Sequence, residues 1–251
     1  MITDYTVYVL IDFDNFYTEH YQASNLTWLI HELNKVVTEV LNYQQYVKTI
    51  FVRLYGGWME NGMLTTTASL IQQELSVNSI FPMPHPKSEG LLRGSVEIAT
   101  TLILIPNNVW DNTRRSKNGL PQIRVEHSAL NEHCLSNTDR CPVLTLKAFL
   151  KKKTRKCSII GCDGTNESVF KTVEQKMVDT LLSCDLLHVS NMPSVSSIIV
   201  MTDDFDIHPA IAMARYGSNK DVMLIYKNTK RTADIVSSIG SLNVTLKNWE
   251  V

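Results

Sequence analysis

Two short apolar runs, each ending in a cluster of aspartates, constrain this chain more than any other feature. Thr6–Phe13 (TVYVLIDF) is almost continuously apolar, β-branched or aromatic, and leads into Asp12, Asp14 and Asn15. Ser197–Thr202 (SIIVMT) is a second such run and opens onto Asp203, Asp204 and Asp206. Runs of this length without polar alternation are what a parallel strand buried on both faces requires. Val47–Tyr55 (VKTIFVRLY), closed by Gly56 and Gly57, and Val222–Tyr226 (VMLIY) are two more, while Val96–Ile105 reads as a strand or as the end of a helix. Between the runs the apolar spacing becomes helical. Leu26, Leu29, Ile30, Leu33, Val36, Val37 and Val40 share one face, with Ser24 placed as a cap. Met63–Leu75, Val169–Leu187 and Ile207–Tyr216, the last stopped by Gly217, have the same character. Strands alternating with helices predict an α/β domain around a mostly parallel sheet.

Such sheets bind ligands at the carboxyl ends of their strands. With the two acidic strand ends adjacent, four or five carboxylates converge in one crevice, where they repel unless cations fill it. A single aspartate after a strand serves equally well as a helix cap. Several at two strand ends favour a hard divalent metal, Mg²⁺ or Mn²⁺, held by carboxylate and water oxygens. Paired metals of this kind activate a water and stabilise a leaving oxygen in phosphodiester hydrolysis. Asp179, three residues after Lys176 in the helix expected before the second acidic strand, either faces solvent or overlooks the same crevice.

Taken in order, four motifs make a pattern. They are I-D-x-x-N (Ile11, Asp12, Asn15), V-R-x-Y-G (Val52, Arg53, Tyr55, Gly56), K-x-V-D-x-x-L (Lys176, Val178, Asp179, Leu182) with Cys-Asp-Leu-Leu after it, and T-D-D-x-D-x-x-P-A-I (Thr202 to Ile211). Over residues 5–105 and 165–230 the chain thereby resembles the NYN family of PIN-like nucleases. The resemblance implies a PIN-like, Rossmann-like three-layer α/β sandwich and a metal-dependent endoribonuclease that cuts single-stranded or structured RNA, tRNA included, with metal-activated water. It assigns Asp12, Asp179, Asp204 and Asp206 as the Mg²⁺ or Mn²⁺ carboxylates, with Asn15 beside them in the catalytic set. Asp203 stands where the family has a small residue, so it is an extra ligand or a cap. Phe205 replaces a small residue, Ile207 an aromatic one and Met177 a glycine, all close to the proposed site.

The formal charge of −1, from 24 basic and 25 acidic residues, gives by itself no sign of a polyanion partner. Its distribution does. Pro106–Lys156 holds 11 basic and 4 acidic residues, a balance of +7 against −8 on the rest of the chain. The division expected is a nuclease core of 1–105 and 165–251 with a basic insertion at 106–164. Within that insertion Lys151, Lys152, Lys153, Arg155 and Lys156 are expected to neutralise backbone phosphates, together with Arg53 and Lys176 from the core. Tyr17, Tyr55 and Trp58, lying after strand ends, can stack on bases or pack in the core. Cys134, Cys141, Cys157 and Cys162 form two pairs that suit a structural Zn²⁺, with His127 and His133 as further donors, although their spacing is wider than usual. Cys184 is read as a core cysteine.

No stretch reaches the roughly 18 apolar residues of a membrane span. The first residues lack a basic leader, so a cytoplasmic, reducing setting without disulfides is expected. Regulation by a protein partner or by self-association is also expected, because an uncontrolled nuclease endangers its cell. Two other readings compete. One is a catalytically silent NYN fold that binds RNA or protein, suggested by Phe205. The other is a phosphatase of haloacid-dehalogenase type, with Asp12 as nucleophile and Asp14 as acid/base in the D-x-D after the first strand.

Overall fold

The computed structural model describes residues 5–17, 21, 27–118, 128, 130–136, 140–151, 155–157, 160–218, 220–227 and 232–249. The first apolar run forms β1 (Tyr5–Asp12), buried from its second residue onward. After it come α1 (Phe13–Phe16), α2 (Trp28–Tyr43), β2 (Val47–Tyr55), a hairpin of β3 (Met59–Glu60) and β4 (Met63–Leu64), α3 (Thr66–Val77), β5 (Met83–Pro84) and β6 (Leu91–Ile98). The middle of the chain holds β7 (Arg114–Asn118), α4 (Glu132–Ser136), α5 (Pro142–Lys151), α6 (Asn166–Val169) and β8 (Lys171–Gln175). Next are α7 (Val178–Ser190), β9 (Val195–Met201), a 3-10 turn (Phe205–Ile207), α8 (His208–Gly217), β10 (Asp221–Lys227), α9 (Thr232–Ile239) and β11 (Thr245–Trp249).

Seven of the strands make one sheet in the order β11-β10-β9-β1-β2-β6-β5. All neighbours are parallel except the edge pair β5 and β6. Numbered in chain order, the parallel strands run 3-2-1-4-5-6, the doubly wound arrangement. Alternate residues of β1 go to opposite faces. Val7, Val9 and Ile11 pack with Leu29, Leu33, Val36 and Val40 of α2 and Ile71 of α3. Tyr8 and Leu10 pack with Leu181, Leu182 and Leu186 of α7, Ile211 of α8 and Ile235 of α9. Helices thus cover both faces, which is why β1 is apolar throughout. Burying each of its large side chains contributes about 1.5–3 kcal/mol. Gly94 of β6 has a packing reason, because a Cβ there would collide with the Ile50 carbonyl on β2.

The chain divides into two compact units, residues 1–113 with 175–251, and residues 114–174. In the second unit the Phe149 and Phe170 rings lie 6.2 Å apart, and Asn166 Nδ2 donates to the Phe149 carbonyl at 2.9 Å. Thr165 caps α6 through a reciprocal capping box with Ser168.

Several boundaries differ from those expected. The helix expected over Val169–Leu187 begins only at Val178; Lys171–Gln175 is a strand paired with β7. Met177, at φ 64°, separates the two elements. Met63 and Leu64 belong to a hairpin, and α3 starts after Thr65, whose side chain accepts from the Ala68 N–H at 3.3 Å. Val96–Ile105 resolves into the end of β6 and a loop. The expected cap Ser24 lies outside the described residues, and Thr27 occupies the N-cap position of α2.

Candidate metal centre

β1 sits between β2 and β9, where the order of the sheet reverses, so the crevice of this fold opens at the carboxyl ends of β1 and β9. Asp12 is the last residue of β1 and caps α1. Its Oδ1 accepts the Asn15 N–H at 3.3 Å, and its Oδ2 accepts Asn15 Nδ2 at 2.6 Å and the Thr202 hydroxyl at 2.9 Å. Thr202 is fully buried, and its Oγ1 also accepts the Asp204 N–H at 3.0 Å. A single hydroxyl therefore joins the end of β1 to the loop after β9. Asp204 in turn caps the 3-10 turn by accepting the Asp206 N–H at 2.9 Å.

Asp179 enters from the first turn of α7. One carboxylate oxygen from each of Asp179, Asp204 and Asp206 lies within 4.8 Å of the others, and among the described residues this is the one group of metal-ligating side chains so gathered. Asp12 stands beside this triad, its charge coupled to that of Asp179. Burial pushes the Asp12 carboxyl up to about 6, against the lowering pull of its bonds to Asn15 and Thr202. Asp179 is raised as well, first by burial and then by the charges of Asp204 and Asp206. Three hard oxygen donors that destabilise one another's ionised form, on two converging elements, suit Mg²⁺ or Mn²⁺.

Other residues singled out in the sequence are placed differently. Asp203 lies outside the triad and accepts the Lys227 N–H at 2.8 Å, which ties the loop to β10. Asp14 accepts the Gly57 N–H at 2.7 Å and so braces the turn after β2. Phe205 packs against the core on the α7, α8 and α9 side of the sheet, its ring 4.8 Å from that of His208. Arg53, expected to meet nucleic acid, is 4% exposed. Its guanidinium is held by Asp185 at 3.4 Å, Glu97 at 3.3 Å and the Thr101 carbonyl at 2.6 Å, so it serves the interior. Tyr17, Tyr55 and Trp58 are all core residues; Tyr55 donates to Asp185 at 2.8 Å and Trp58 to the Leu54 carbonyl at 2.7 Å. Lys176 is exposed, with its backbone N–H on the Thr113 carbonyl.

In the second unit, Arg155 and Lys156 are exposed, and Arg155 donates to the Ala148 carbonyl at 2.7 Å. Lys152 and Lys153 lie outside the described residues, as does the side chain of Lys151. Cys141 is buried, Cys157 half-buried and Cys162 exposed, and these three thiols do not gather into a coordinating group. The side chains of Cys134 and His133, and all of His127, fall outside the described residues. Cys184 is exposed rather than in the core, because it lies on the face of α7 turned away from Leu182 and Leu186.

Two residues at the crevice gave only a faint signal in the sequence. Thr202 reads as the last residue of an apolar strand, and Lys227 as the first polar residue after another. In each case a strand end was the clue.

Compared with family models, with curated proteins and with solved structures, the chain shows no significant match. No helix among the described residues is long and apolar enough to cross a membrane.

Proposed function

We propose that this chain is a metal-dependent endoribonuclease of the PIN-like NYN type. The observation that carries the reading is the meeting of Asp179, Asp204 and Asp206 beside Asp12 at the switch point of the sheet. The choice of RNA rests on the motif resemblance and on the basic stretch around residues 147–156. Mg²⁺ or Mn²⁺, when bound, polarises a phosphodiester oxygen and makes water nucleophilic at neutral pH. The protein's part is positional. Asp179, Asp204 and Asp206 supply the oxygens that hold the cation. Asp12 fixes Asn15 through two hydrogen bonds and takes a third from Thr202, which sets the distance between the two strand ends. A phosphatase with Asp12 as nucleophile and Asp14 as proton donor is disfavoured, because Asp14 is engaged by Gly57.

The test is incubation of wild type and Asp12→Asn with end-labelled RNA and DNA, in Mn²⁺ and in EDTA. Wild type is expected to cut RNA internally in Mn²⁺ only, and Asp12→Asn to lose at least about 100-fold in rate while keeping its fold by circular dichroism. Cleavage that survives either EDTA or the substitution rejects the proposal.

A further inference from the structure

We propose that Lys227 is a substrate contact, its ammonium receiving a backbone phosphate that flanks the one being cut. The inference rests on the ribonuclease reading. β10 lies beside β9 with Ile225 opposite Met201, so Lys227 ends level with Asp203. Its N–H donates to Asp203 Oδ1 at 2.8 Å, and its Nζ donates to the Asn15 carbonyl at 2.8 Å. Asn15 in turn holds Asp12 through Nδ2 at 2.6 Å. One lysine is therefore attached to both walls of the crevice, the β9 loop and α1.

An ammonium has three N–H donors, of which the Asn15 carbonyl takes one. Nζ also lies 5.4 Å from the centre of the Phe16 ring, which further restrains it. A cation held in this way loses little freedom when an anion arrives. The need for it is electrostatic. Asp179, Asp204 and Asp206 gather beside Asp12, with Asp203 on the same loop, and the phosphates on either side of a cation site there meet negative potential unless the rim supplies charge. Fastening α1 to β10 would require only a neutral donor. A charged one suits a polyanion.

The test compares wild type, Lys227→Met and Lys227→Arg as full chains. Met keeps the stem against Phe16 without the charge. Binding of a fluorescent single-stranded RNA is measured against salt in Ca²⁺, and Mn²⁺ binding is measured separately by calorimetry. Lys227→Met is expected to bind RNA about three- to tenfold more weakly and to lower the slope of log affinity against log salt by about 0.7, with Arg restoring both. Mn²⁺ affinity should be unchanged. An unaltered salt slope overturns the proposal, as does a parallel loss of Mn²⁺ binding, which would mean that Lys227 acts through Asn15 and Asp12. Wild type that neither binds nor cuts RNA overturns the ribonuclease reading as well.

Discussion

Asp12 is 2% exposed, whereas Asp179 and Asp204 are half-buried and Asp206 is exposed. That difference sets how the fold responds to pH. The Asp12 carboxyl is raised from 3.8 to about 6 in the folded state, chiefly by burial. A raised carboxyl binds its proton more tightly in the fold than in the unfolded chain. Its stabilising contribution is thus complete below pH 3.8 and is lost as the pH rises through about 6. At about 1.4 kcal/mol per pH unit of displacement, the contribution is on the order of 3 kcal/mol. In EDTA, urea unfolding should therefore show the fold gaining stability between pH 7 and pH 4.5, with Asp179, also raised, acting in the same direction. Asp12→Asn removes the titrating group, so its stability should vary less with pH over this window and exceed that of wild type at pH 7. An identical pH dependence in the two proteins would show that Asp12 is not the group responsible.

At the scale of elements, α7 matters most because it delivers Asp179. Its N-cap, Met177, is held at φ 64°, a left-handed conformation that costs a side-chain-bearing residue roughly 1–2 kcal/mol. The Met177 side chain is 38% exposed and makes no cap hydrogen bond, so little offsets that cost. Met177→Gly should raise the urea midpoint by an amount equal to about 1 kcal/mol, since glycine relieves the strain but gains entropy in the unfolded chain. A lowered midpoint would mean that packing by the methionine outweighs the strain. The same residue explains why Val169–Leu187 is not one continuous helix. Phe170, Val173, Met177 and Val178 fall at helical intervals, yet the left-handed turn at Met177 breaks the segment into a strand and a helix. β1, β9 and β10 were legible because burial on both faces forces nearly continuous apolar runs. β11, a half-polar edge strand, has no such mark. The placement of Arg53 was hidden for a different reason. Asp185, which neutralises it inside the fold, lies far along the chain, and nothing local announces the pair. Three site aspartates, Asp12, Asp204 and Asp206, were plain at strand ends, whereas Thr202 and Lys227 became visible only once the strands were set side by side.

For the whole molecule, the proposed metal centre draws its carboxylates from one unit only. All three triad carboxylates belong to the unit formed by residues 1–113 and 175–251, and none to residues 114–174. A cation bound only by the folded form stabilises it by RT ln(1 + [L]/Kd), about 2.7 kcal/mol at a hundredfold excess over Kd. In differential scanning calorimetry at pH 7.5, Mn²⁺ should therefore raise the transition of the triad-bearing unit by about 5–10 °C and leave any separate transition of residues 114–174 where it was. The direction should oppose that of protons, because the proposed ligands would bind metal only as carboxylates. Asp12 takes up its proton as the pH falls through about 6, and Asp179 is also raised, so the Mn²⁺ shift should shrink on acidification. Asp204→Asn keeps an acceptor oxygen for the cap of the 3-10 turn but removes the negative charge of a triad carboxylate, so it should abolish the shift at every pH. Were Mn²⁺ to raise both transitions equally, or to raise that of Asp204→Asn as much as wild type, the cation would be binding elsewhere. The crevice at the end of β1 and β9 would then have to be explained without metal.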